Sequence, residues 1–175
     1  VSSGRTKTVR WLIAFMMFVI RSHRMTSPSS FPSGLVITGL PEYYPTRTEL
    51  AILENQGRAI AEFLGDNCVL VELGSGSSRK IRVLLDALQP AAYVPVDISR
   101  DHLRDSAEAL SRDYPGLEVH AACTDYSSDF ELPDLPDELP RVAFFPGSSI
   151  GNFEPRDARA LLKRVGEHLG NNGKL

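Results

Sequence analysis

A chain of 175 residues, 42% hydrophobic and 23% charged, has the length and composition of one globular domain with an ordinary core, which sets aside extended disorder. The net charge of −3 is unevenly spread: residues 1–34 carry Arg5, Lys7, Arg10, Arg21 and Arg24 with no acid, leaving 14 basic against 22 acidic residues in the rest. Such an acidic body gives no electrostatic case for nucleic-acid binding. Two single cysteines, Cys68 and Cys123, and histidines that share no ligand spacing argue against a metal site. The cysteines read as reduced, buried thiols, and a cytoplasmic location follows.

Residues 11–20 form an apolar block after three basic residues, like the core of a signal peptide. It is too short for a membrane span, which takes about 20 residues. Arg21-Ser22-His23-Arg24 also stands where a small-residue cleavage site would be. A replaced N-terminus, a membrane-surface or partner helix, and an export signal are the readings open here. Met25 to Gly34, rich in serine and proline, reads as a flexible linker. The chain therefore divides into 1–34 and a folded part over 35–175.

Pro41 and Pro45 bracket a rigid loop, and Thr46-x-x-Glu49 has the form of a capping box starting a helix with Leu50, Leu53, Ile60 and Leu64 on one face. Val69 to Leu73 is an apolar strand that runs into Gly74-Ser75-Gly76 and then a helix, with Ser77 or Ser78 as cap and Ile81, Leu84, Leu85 and Leu88 inward. Glycines at such a turn allow φ > 0 and close approach of a ligand to the backbone. Lys80 falls in the first turn of that helix, a poor place for a cation unless an anion is near.

Ala92 to Val96 is the second strand, and Asp97 closes it about 20 residues after the glycines, where a carboxylate meets ribose hydroxyls in a βαβ nucleotide fold. Ser99 can cap the next helix, with Leu103, Ala107 and Leu110 inward and His102 on the surface. Leu117 to Ala122 reads as a third strand ending at Asp125-Tyr126, an acid and an aromatic able to hold an adenine. Residues 129–140 read as a solvated connector, Arg141 to Phe145 as the fourth strand, and Pro155 as the start of a helix ended by Gly170. Lys174-Leu175 looks like the opening of a fifth strand.

The dinucleotide fingerprint wants a third glycine where Arg79 stands, which argues against NAD and a dehydrogenase. Glu72, two residues before the first glycine, suits a cofactor with a positive amino-acid portion, and S-adenosylmethionine fits best. Asn152, in the loop after the fourth strand, can donate and accept at once, as an amino-acid amine or carboxylate requires.

LPEYYPTRTE (Leu40 to Glu49), VELGSGSSRK (Val71 to Lys80), VPVDIS (Val94 to Ser99), Asp125-Tyr126 and FFPGSSIGNF (Phe144 to Phe153) together resemble the histidine-specific Nα-methyltransferase family of ergothioneine biosynthesis. The resemblance implies a Rossmann-like S-adenosylmethionine-dependent methyltransferase fold of the α/β class, here the N-terminal part of a longer, monomeric enzyme cut off after about four strands. It implies S-adenosylmethionine as cofactor, with Gly74 and Lys80 at its methionine end and Asp97, Asp125 and Tyr126 at its nucleoside. It implies L-histidine as substrate, with Tyr44 over it and Asn152 as a ligand, and no residue of this chain as catalytic base. A cofactor-binding fragment without turnover, and an indole amino acid in place of histidine, stay open on the same residues.

Overall fold

The computed structural model describes residues 44–175 apart from Ser77, Asp137 and Ser148. The apolar block, the linker, the boundary at 34 and 35 and the Ser77 cap lie outside the described residues.

The first helix, α1 (Tyr44–Leu64), begins two residues before the expected cap, with Pro45 in its first turn, where a missing N–H costs nothing. Its buried stripe is Glu49, Leu53, Gly57, Ala61 and Leu64, rotated from the expected one, and Leu50 and Ile60 are only half-buried. Small residues in the stripe let α1 lie close to the second helix: a Cβ on Gly57 would sit 3.5 Å from that of Ala87. Then follow β1 (Val69–Leu73), α2 (Ser78–Leu88), β2 (Ala92–Asp97) and α3 (Arg100–Asp113). Two short strands, β3 (Glu118–Val119) and β4 (Ala122–Cys123), come next, and then β5 (Arg141–Phe144), a 3-10 turn (Ser149–Asn152) and α4 (Pro155–Leu169).

All strands are parallel, in the order β3-β2-β1-β5, with β4 also on β2. The expected third strand is thus broken in two, although both pieces keep one register: Glu118 faces Ala92, and Ala122 faces Val96. Pro95 accounts for the gap. Tyr93 and Asp97 turn their carbonyls toward this neighbour, accepting from His120 N (2.9 Å) and Thr124 N (3.1 Å). Pro95, midway between them, faces the same way and has no N–H to give. Beyond β5, Lys174 adds a single parallel bridge to Val142, and Ala143 N donates to Lys174 O (2.8 Å), as a further strand would begin.

Helices cover both faces of the sheet, which is why β1 is a continuous apolar run rather than an alternating one. On one face Leu70, Tyr93 and Val142 pack under Ala61 and Leu64 of α1 and Ile81, Leu84, Leu85 and Leu88 of α2. On the other, Val69, Val71, Leu73, Val94, Val96 and Ala143 meet Leu161 and Val165 of α4. The 129–140 connector is more than a solvated link: Phe130 is buried and Leu132, Leu135 and Leu139 pack on this second core. Cys68 is buried as expected, but Cys123 is exposed at the sheet edge.

Leu84→Ala and Leu161→Ala each empty a fully buried site on opposite faces. Each should cost about 2–5 kcal/mol in urea denaturation; a loss well below that at either would show that its face is not a packed core.

Candidate functional site

Chain order reverses at β1: β2 lies on one side and β5 on the other, so a crevice opens outside their carboxyl ends. Gly74 turns the chain there with φ +74°, a conformation costly for any residue with a Cβ. A Cβ on Gly74 would also sit 3.0 Å from the Tyr126 hydroxyl oxygen. The turn is fastened to β2 by Gly74 N and Ser75 N, which both donate to Val96 O (2.8 and 3.2 Å). Ser75 is 5% exposed, and its Oγ has no hydrogen-bond partner among the described residues. A buried hydroxyl of that kind calls for a ligand or a water. His102, expected as a plain surface side chain, is exposed but brings Nε2 to 2.5 Å from Gly76 O, holding the turn from α3.

Asp97 ends β2 half-buried, and its Oδ1 accepts from Ser99 N (2.8 Å). Ser99 is the N-cap residue of α3 as expected, but its side chain makes no capping bond. Asp125 Oδ1 accepts from Ser127 N (2.9 Å) and Ser127 Oγ (2.6 Å), bonds that hold its carboxyl below the usual range. Tyr126 is half-buried and meets Phe145 edge-on at 5.7 Å. Its hydroxyl is raised by burial and, after that, by the charges of Asp97 and Asp125, so these three residues and Gly74 share one end of the sheet. Ile98, beside Asp97, is 70% exposed, an apolar side chain open at a strand end that the sequence reading did not single out.

The anion that Lys80 needs is Glu49. Lys80 Nζ donates to Glu49 Oε2 at 2.6 Å, and Gly147 N donates to Glu49 Oε1 at 2.8 Å. The capping-box role expected for Glu49 is therefore wrong: its carboxylate turns inward, 8% exposed, and joins α1, α2 and the loop after β5. The available signal was its place at the head of the buried stripe, four residues before Leu53. Tyr44 and Asn152 lie on the two segments so joined, five residues before Glu49 and five after Gly147, and both are exposed.

Glu72 lies beneath the turn at 2% exposure and accepts a hydrogen bond from the Tyr93 hydroxyl. Burial pushes its carboxyl up to about 7, against the opposing pull of that hydrogen bond and of Lys80. Tyr93 is in turn raised by burial and by Glu72. Glu72, expected to face the positive portion of a cofactor, is instead buried with Tyr93 as a polar pair within the core.

A switch-point crevice with a glycine turn, an acid ending β2 and an acid-aromatic pair after β4 has the chemistry to take a nucleotide cofactor, and the fold is that of S-adenosylmethionine-dependent methyltransferases. The likeness to one from Clostridium acetobutylicum has a TM-score of 0.52 at 18% identity, covering 79% of this chain and 50% of that one. The chain belongs to the histidine-specific, S-adenosylmethionine-dependent methyltransferase family, whose sequence profile matches residues 35–175. It is 40% identical over 137 residues to the histidine N-alpha-methyltransferase of Mycolicibacterium smegmatis, covering 76% of this chain. It is 35% identical over 146 residues to ergothioneine biosynthesis protein 1 of Neurospora crassa, covering 79% of this chain. The chain spans 42% and 16% of the lengths of those two relatives.

Folding raises the Glu72 pKa from the ordinary 4.5 to about 7, so the folded chain holds this proton more tightly than the unfolded one. The contribution is full below about 4.5 and is lost as pH rises to about 7, where the buried carboxylate ionises. Glu72→Gln, which keeps an acceptor for Tyr93, should match the wild type at pH 4 and melt higher than it at pH 8. Parallel melting curves across that range would mean that Glu72 titrates normally.

Proposed function

We propose that this chain is part of an S-adenosylmethionine-dependent N-methyltransferase acting on the α-amine of L-histidine to give its trimethylated betaine, on the route to ergothioneine. The observation that carries the reading is the family match over residues 35–175, at 40% identity to a histidine N-alpha-methyltransferase. The residues present fit the cofactor. Glu49, Asp97 and Lys80 all lie close enough to Glu72 to act on it electrostatically, three carboxyl groups and an ammonium at one end of the sheet, an acid-rich end that suits a cationic ligand.

When bound, S-adenosylmethionine supplies a methyl group on a positively charged sulfur. Gly74 and Lys80 hold its methionine end, Asp97 the ribose, and Asp125 and Tyr126, with Ile98, the adenine. Tyr44 and Asn152 hold the amino acid with its amine toward the methyl. The amine must shed its proton to attack, and a free α-amine is mostly charged at neutral pH. Positioning then supplies most of the acceleration, an effect worth about 7–11 kcal/mol where geometry is good.

Calorimetric titration with S-adenosylhomocysteine should show micromolar binding, with NADH as a silent control. Asp97→Ala should raise the dissociation constant at least about tenfold, the value of one charge-assisted hydrogen bond. An unchanged constant would remove Asp97 from the site, and binding of NADH alone would overturn the methyltransferase reading. Binding without methylation of added histidine would support the narrower role of a cofactor-binding unit.

A further inference from the structure

Burying a carboxylate on an otherwise apolar and small-residue helix face is costly unless its partners are close and well aimed. Glu49 meets that condition with both oxygens: one on Lys80 Nζ at 2.6 Å, the other on Gly147 N at 2.8 Å. The two side chains of the ion pair are 9% and 15% exposed, for Glu49 and Lys80 respectively, so solvent screens them little. The Lys80 ammonium is boxed on another side as well. A Cβ on Gly147 would sit 3.2 Å from Nζ, and Gly147 has φ +78°, so glycine is required there for conformation and for space.

Lys80 has three N–H donors and gives one to Glu49, which leaves two to aim elsewhere. Any displacement of the ammonium by a ligand is felt by Glu49, and through its second oxygen by Gly147. On the Glu49 side the same rigid helix carries Tyr44; on the Gly147 side the loop runs on to Asn152.

We propose that Glu49 is the positioning residue that couples the two halves of the site, aiming Lys80 at the carboxylate end of the cofactor and setting, through the Gly147 amide, the loop that bears Asn152. The inference rests on the methyltransferase reading. It differs from a plain structural staple in being separable: the charge serves Lys80, whereas any acceptor oxygen serves Gly147.

The test uses the whole chain as wild type, Glu49→Gln, Glu49→Ala, Lys80→Met and the Glu49→Gln/Lys80→Met double variant. Each is titrated with S-adenosylhomocysteine, and hydrogen exchange is followed by mass spectrometry in peptides over residues 144–153. Glu49→Gln should weaken binding about tenfold, or about 1.4 kcal/mol, yet keep the 144–153 amides protected. Glu49→Ala should lose both. The double variant should bind within about twofold of Lys80→Met alone, because Glu49 acts through Lys80. Glu49→Gln binding as tightly as wild type, or penalties that simply add in the double variant, would overturn the role of Glu49. Should Glu49→Ala fail to fold, the Glu49→Gln arm and the double variant decide alone. A wild type that takes no S-adenosylhomocysteine while folded would instead overturn the methyltransferase reading, and the coupling role with it.

Discussion

No residue of β1 faces water. Val69 to Leu73 are each 3% exposed or less, with β2 and β5 hydrogen-bonded on either side and helices over both faces. The strand therefore cannot present chemistry along its length; it can do so only where it ends. Gly74, Asp97, Tyr126 and the Gly147 loop owe their convergence to this, since each follows a strand whose carboxyl end points the same way. Glu72 shows the same constraint from inside. As the polar member of a buried strand it must find a partner within the core, and Tyr93 supplies it from two positions back on β2, where Leu70 faces Tyr93 in the register.

Electrostatics then divides the crevice. Near the end of β1 Lys80 pairs with Glu49, while burial, reinforced by the charges of Asp97 and Glu49, favours the neutral form of Glu72. Asp125, by contrast, is exposed and held ionised by Ser127. One carboxyl is tuned upward by desolvation and another downward by hydrogen bonds within a single cleft. A buried ion pair such as Glu49 and Lys80 adds little net stability of its own, but it fixes which segments lie together.

The sheet and its two-sided core were legible in the sequence because parallel strands buried on both faces leave plain apolar runs, and α2 showed its inward face residue by residue. Local pattern failed where a partner far along the chain decided the outcome. Thr46-x-x-Glu49 satisfies the capping-box spacing, but Glu49 is claimed by Gly147, 98 residues on. The face of α1 turned for the same reason: Gly57 and Ala61 carry little hydrophobicity, yet their smallness is what the contact with α2 needs. The break between β3 and β4 was present as Pro95 on the neighbouring strand, not in the broken strand itself. Of the residues that the sequence reading singled out, Gly74, Asp97, Asp125, Tyr126 and Asn152 lie at a strand end or on the segment beyond it, and Tyr44 and Lys80 lie on the two helices that Glu49 joins. The polar pairings, Glu49 with Lys80 and Tyr93 with Glu72, were visible only in three dimensions.

Lys174 gives this arrangement a temporal side. Its ammonium donates to Phe63 O (2.7 Å) and Leu64 O (2.9 Å), satisfying carbonyls that the last turn of α1 leaves open, and it lies over the Phe63 ring at 5.3 Å. The other fastening of α1, Glu49 to Gly147, also reaches across most of the folded part. Beyond its packing on α2 and the Lys80 pair, the helix thus waits on contacts of very high sequence separation, whose loop closure must precede any gain. During synthesis, which proceeds from the N-terminus, α1 is the first described element to be made; α2 can meet it early, whereas its fastenings to Gly147 and Lys174 close only once those late residues are in place.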